Sequence, residues 1–152
     1  MSDTKRREEL LKGLDAKFKA VDRDAEPFLE GLQHAKLLTY WDYIQTDVLL
    51  NLQTQRTVFP DELVFITYHQ INELLFKLIL WEIQQLAEMK ELTGLVFQEK
   101  LSRASRYFDM LTTSFTIMKD GMDPKQYEQF RHTLTPASGF QSVQYRYIEL
   151  AS

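Results

Sequence analysis

FPDELVFITYHQINELLFKLILWEIQQL, from Phe59 to Leu86, is the stretch whose reading decides the fold. Pro60 has a fixed φ suited to a first helical position, and Asp61 and Glu62 set negative charge near the positive end of a helix dipole. From there Phe65, His69, Asn72, Phe76, Leu80 and Ile83 recur at spacings of three and four. Val64, Tyr68, Ile71, Leu75, Leu78 and Leu86 form a second apolar row beside them. A helix apolar over so much of its circumference belongs inside a bundle. Glu73 and Lys77 stand four apart with the acid first, the favourable order, and mark where the surface or a polar seam begins.

Working outward, the N-terminal side offers an amphipathic helix over residues 8–21, with Leu11, Leu14, Phe18 and Val21 on one stripe. After Pro27 and Gly31 comes LTYWDYIQTDVLLNLQ, where Thr39 can cap a helix running through Leu52 with Tyr40, Trp41 and Tyr43 in its first turn. On the C-terminal side a helix is expected from about Gln98 to Lys119, with Leu101, Ala104, Phe108, Leu111, Phe115 and Met118 facing the bundle and Gly121 as its C-cap. Asp123 and Pro124 start a short helix, DPKQYEQFRHTL, that ends before Pro136. The turn-forming TPASGFQS, with Gly139 free to take a positive φ, leads into a last helix, VQYRYIELA. No strand-period alternation of useful length, repeat or linker interrupts this pattern. The fold class is all-α, a single helical domain over residues 1–152 with a peripheral arm over 1–37 and the main body over 38–152.

Composition narrows the function. With 152 residues, 44% of them hydrophobic and 12% aromatic, the chain has the means to bury a core of its own. A formal net charge of −4 offers no concentrated basic face for nucleic acid, and the cluster Lys5-Arg6-Arg7 is answered by Glu8 and Glu9. There is no cysteine, which excludes disulfides, thiolate zinc sites and thiolate-held or covalently attached haem. The N-terminus is charged, and the most apolar run, Leu74 to Trp81, is short and broken by Lys77. A soluble cytoplasmic protein with no membrane partner is expected.

Two constellations bear chemistry. His69 sits on an apolar helical face, where a lone histidine is more often a satisfied core residue than a catalyst. With Glu73 it has i, i+4 geometry for two metal ligands, but no HExxH or paired ExxH pattern supports a metal site. Tyr127 and Arg131, also four apart, project a phenol and a guanidinium from one side of the short helix. That pair suits a carboxylate; the alternative is an arginine bridging to a nearby glutamate. Thr135 to Gly139 adds small residues and backbone N–H groups that a flat ligand can approach. There is no nucleophile elbow, phosphate loop, dinucleotide fingerprint or acidic metal cluster.

Three blocks in order, LTYWDYIQTDVLL, FPDELVFITYHQINELLFKL and YEQFRHTLTPASGFQSVQYRYIE, make the chain resemble the tryptophan 2,3-dioxygenase family from Leu38 to Glu149. The resemblance implies a haem-dependent dioxygenase that opens the indole ring of L-tryptophan with O2 to give N-formylkynurenine, the first step of tryptophan catabolism in the kynurenine pathway. By position, His69 matches the family's distal histidine, which accepts a hydrogen bond from the indole N–H, and Phe65 matches an aromatic packed on the indole. Tyr127 and Arg131 match the holders of the substrate carboxylate, and Leu134 an apolar pocket residue. Ser138 and Gly139 match the loop beside the haem, with Tyr145 on the same cofactor side. Tyr40, Tyr43 and Ile44 match residues that reach a neighbouring subunit's active site, and the family is a homotetramer. The resemblance also implies a proximal histidine that ligates the haem iron and a threonine on the substrate's amino group. Both belong to a C-terminal half outside this sequence, and His34 and His132 match neither. Haem b is therefore expected to be held together with that half, with no metal ligand from this chain. The rivals are another haem-dependent oxygenase of an aromatic amino acid or indole derivative, and a non-catalytic helical module that binds a partner or an aromatic ligand.

Overall fold

The computed structural model describes residues 2–151, and its contacts divide the chain into two compact units, Met1–Leu49 and Leu50–Ser152. The expected division at residue 37/38 thus falls instead at Leu49/Leu50, and Tyr40, Tyr43 and Ile44 belong to the N-terminal unit. Among the described residues there are helices and turns and no strands, so the protein is all-α.

The N-terminal unit holds α1 (Asp3–Lys19), α2 (Glu26–His34), α3 (Tyr40–Tyr43) and α4 (Thr46–Leu49). α1 starts five residues earlier than the expected residue 8, and stops before Val21 because Asp22 turns the chain at φ 53°. α2 lies where the sequence reading placed no helix. Pro27 sits in its first turn, where a missing N–H costs nothing, and Phe28 meets Phe18 of α1 with ring centroids 5.1 Å apart. Thr39 does cap α3, accepting from the Asp42 amide at 3.1 Å, but the helix expected through Leu52 breaks. Gln45 takes φ 55° and donates its side-chain amide to the Asp42 carbonyl at 2.6 Å, so two short helices replace one.

The C-terminal unit is built on α5 (Asp61–Glu88) and α6 (Gly94–Gly121), two 28-residue helices joined by a short loop and packed antiparallel. Thr93 caps α6 by accepting from the Val96 amide, which sets its start four residues before the sequence estimate. Lys100 pairs with Glu82 at 2.8 Å and donates to Gln85 at 2.7 Å near the hairpin end. α7 (Pro124–Arg131) begins as expected, with Asp123 accepting from the Lys125 amide, and runs into a 3₁₀ turn over His132–Leu134. Gln126 and Asp123 tie its start to Asp61, through bonds of 3.2 and 2.6 Å. After a second 3₁₀ turn, Gly139–Gln141, α8 (Val143–Ala151) packs on α5, where Gln144 donates to both the carbonyl and the carboxylate of Glu73 at 2.8 Å.

Glu62 is buried at the head of α5. Its carboxylate accepts from the Arg56 and Thr57 amides at 2.8 and 2.7 Å and from the Thr57 hydroxyl at 2.5 Å, so it anchors the preceding loop as well as facing the dipole. Burial raises its pKa, but the Thr57 hydroxyl, the two amides and the Arg56 charge outweigh that and hold it below the ordinary 4.5.

The second apolar row of α5 is split between interior and surface. Tyr68, Leu75 and Ile79 are buried with Glu82, whereas Ile71, Leu74, Leu78 and Trp81 form an outward stripe, Trp81 being 56% exposed. α6 divides likewise, turning Ala104, Leu111 and Met118 inward and Leu101 and Phe108 outward. A helix 28 residues long supplies more apolar surface than three neighbours cover. Among the described residues, α5 is the one helix long and apolar enough to cross a membrane. Its buried acids, bonded to Arg56 and Thr57 at one end and to Lys100 at the other, mark it as a packed helix.

Candidate functional site

A cavity of about 720 Å³ opens between α5, α6, α7 and the two 3₁₀ turns. α5 contributes Phe65, Tyr68, His69 and Asn72, successive residues of its inward stripe. α6 contributes Phe115 and Met118, and α7 contributes Tyr127 and Arg131. His132, Leu134, Thr135 and the Ala137–Phe140 run close the remaining side.

His69 is fixed by its own helix. Its Nδ1 lies 2.8 Å from the Phe65 carbonyl oxygen, and a carbonyl only accepts, so Nδ1 carries a proton and, in the neutral ring, Nε2 is the nitrogen with the lone pair. Phe65 covers one side of the imidazole with ring centroids 4.2 Å apart, and Tyr68 meets it edge-on at 5.2 Å and 90°. Phe130, fully buried at the end of α7, stands behind both walls, edge-on to Phe65 at 5.6 Å and to Tyr127 at 5.6 Å. The aromatic wall is thus a packed cluster with defined ring angles.

Arg131 has its guanidinium carbon 5.4 Å from the centroid of the Tyr127 ring and its Nη1 3.0 Å from Glu128 Oε1. The arginine bridges to a nearby glutamate, one of the two alternatives open in the sequence, and it also lines the cavity. Its side chain is 47% exposed, so a ligand's carboxylate can reach it.

The Ser138 loop is built by a capping box. Ser138 Oγ accepts from the Phe140 amide and Gln141 Oε1 accepts from the Ser138 amide at 3.1 Å, which fixes the turn that presents Gly139. Gly139 does not use a positive φ, contrary to expectation, and no glycine among the described residues does. What glycine provides here is room, for nothing lies within 4 Å of where a Cβ would project.

Of the residues singled out in the sequence, Phe65, His69, Tyr127, Arg131, Leu134, Ser138 and Gly139 come together around one cavity. Tyr145 does not line it; its ring lies 5.6 Å from Phe76 on another part of α5. Tyr40, Tyr43 and Ile44 are exposed on the N-terminal unit. Glu73 is engaged with Gln144, and among the described residues no group of three His, Asp or Glu side chains could hold a metal ion. The contributions of Phe115, Met118 and the backing ring of Phe130 were not singled out. Their spacing signals core packing, and only the packing of α6 and α7 on α5 brings them to this wall.

An all-helical protein with an aromatic-walled cavity, one imidazole and a guanidinium–phenol pair has the chemistry to take a flat aromatic ligand bearing a carboxylate. The family profile described as tryptophan 2,3-dioxygenase matches residues 30–151, and the chain belongs to that family. It is 40% identical over 117 residues to the tryptophan 2,3-dioxygenase of a Ruegeria species, covering 76% of this chain and 41% of the relative. It is 37% identical over 129 residues to that of Ruegeria pomeroyi, covering 82% and 46%, and 41% identical over 119 residues to that of Herpetosiphon aurantiacus, covering 76% and 45%. The chain spans less than half the length of these relatives.

Proposed function

We propose that this chain forms the substrate side of a haem-dependent dioxygenase that opens the indole ring of L-tryptophan with O2 to give N-formylkynurenine. The observation that carries this reading is the single cavity lined by His69, with Nδ1 held by the Phe65 carbonyl, by Tyr127 and Arg131, and by a cluster of tilted and edge-on aromatics. In it, Phe65 packs on the indole, Nε2 of His69 accepts the indole N–H, and Leu134 adds apolar surface. Arg131 takes the substrate carboxylate, helped by the Tyr127 hydroxyl. A site that pairs that carboxylate favours tryptophan over indoles lacking it, because they forgo the charge-assisted hydrogen bonds to the guanidinium.

The open backbone at Gly139 and the small side of Ser138 fit a flat macrocycle lying against that loop. Haem, when bound there, supplies the dioxygen chemistry, and its iron would take its protein ligand from the portion of the relatives' length that this chain does not span. The residues of this chain bind and orient the indole and exclude water from it. The outward stripes of α5 and α6 suit burial against that remaining portion or against neighbouring copies. The exposed Tyr40, Tyr43 and Ile44 suit insertion at a neighbouring subunit's site in a homotetramer. A cytoplasmic setting agrees with the absence of cysteine.

The test is an absorption spectrum of the purified chain assembled with haem and the complementary portion of a relative, with and without L-tryptophan. A Soret band that shifts with tryptophan, and formation of N-formylkynurenine under O2, are expected. A haem-loaded assembly whose spectrum ignores tryptophan would overturn the reading.

A further inference from the structure

Arg131 does not stand ready for a ligand. Its Nη1 is held at 3.0 Å by Glu128 Oε1, one turn back on α7, and this is its only ion pair among the described residues. Tyr127, on the other side of the same turn, keeps the guanidinium over its ring. Glu128 is not among the residues lining the cavity, whereas Tyr127 and Arg131 are. The anion that now pairs with the arginine therefore sits outside the site, and a ligand's carboxylate that takes the guanidinium by its Nη edge must compete with it for Nη1. Glu128 is a tethered rival: present at high local concentration, yet weak, because both side chains are about half exposed and the pair is screened by solvent.

We infer that Glu128 is a positioning residue that sets how strongly the site discriminates carboxylate-bearing ligands from those without the carboxylate, by holding Arg131 at the lip of the cavity until such a ligand displaces it. This rests on the reading of Arg131 as the carboxylate anchor. In the ligand-free protein the glutamate keeps the guanidinium paired, and this lowers the affinity for every ligand that needs it. A ligand without a carboxylate leaves the pair intact and is indifferent to Glu128. A helix-stabilising ion pair with no such role would change stability and leave the discrimination unaltered.

The experiment uses the full chain and its Glu128→Gln and Glu128→Asp variants, labelled with ¹⁵N-arginine, with the Arg131 side-chain signal assigned through Arg131→Lys. L-Tryptophan and tryptamine, which lacks the carboxylate, are titrated in turn. For Glu128→Gln we expect L-tryptophan to bind roughly two- to fivefold more tightly, the range set by release of one exposed ion pair, with tryptamine unchanged. Glu128→Asp, which keeps the charge, should restore much of the wild-type affinity. Equal tryptophan affinity in wild type and Glu128→Gln, or a parallel change for both ligands, would overturn the role of Glu128 alone. An Arg131 signal unmoved by L-tryptophan in both proteins would overturn the carboxylate anchor and this inference together.

Discussion

His69 Nδ1 donates to the carbonyl of Phe65 across 2.8 Å, so one turn of α5 fixes the tautomer of the histidine and sets the ring that packs against it. In the assembled, haem-loaded enzyme, His69→Ala should keep haem and lower kcat/KM by roughly tenfold or more, the worth of one hydrogen bond to the indole N–H. Loss of haem from that variant, seen as a vanished Soret band, would instead make His69 an iron ligand.

Arg131→Ala removes the guanidinium and leaves the aromatic wall intact. L-Tryptophan should bind about ten- to a hundredfold more weakly, as for loss of a charge-assisted hydrogen bond, with tryptamine little affected. Calorimetric titration of both ligands checks this, and equal losses for the two would remove Arg131 from the carboxylate role.

Glu62 gives the protein an acid limit. Its pKa is depressed in the folded state, so its contribution is present above the unfolded value of 4.5 and is lost as pH falls through the lower folded value. Thermal unfolding followed from neutral pH down through the carboxylate range should show Tm falling in that window. Glu62→Gln should lower Tm at neutral pH and flatten the acid slope; an unchanged slope would show that another carboxylate sets it.

Lys100 and Glu82 join α5 to α6 with side chains 10% and 5% exposed. Lys100→Met leaves the buried Glu82 carboxylate with only Arg103, 3.5 Å away, and should cost about 2 kcal/mol in urea unfolding, whereas the double variant Lys100→Met with Glu82→Leu should recover most of the loss. Additive losses would refute the coupling.

Much of this architecture is legible in residues with local causes. Pro60, Thr39 and Asp123 mark helix starts because proline geometry and cap hydrogen bonds act within one turn, and the i, i+4 pair Tyr127 and Arg131 keeps its shared side for the same reason. The break at Gln45 was illegible because a non-glycine residue at positive φ leaves no signature in periodicity. The apolar rows of α5 and α6 misled for a different reason. Periodicity shows which positions share a face, while packing of the hairpin decides which face is covered, and Ile71, Leu74, Leu78 and Trp81 are as apolar as their buried neighbours. The histidine was recognisable, but its tautomer required the Phe65 carbonyl in three dimensions.

The hydrogen bond from Gln144 to Glu73 closes a loop 71 residues long, and the bonds from α7 back to Asp61 close loops of 62 and 65. The α5–α6 hairpin needs only a short turn to form, so it is the early and slow-exchanging part of the unit, while α7 and α8 dock later at a larger entropic cost. The histidine wall therefore belongs to the persistent half of the fold and the arginine wall to the half that opens first. Amide exchange in α7 and the Ser138 loop should accordingly slow when a ligand bridges the two, and that protection would report site closure even where no chemistry follows.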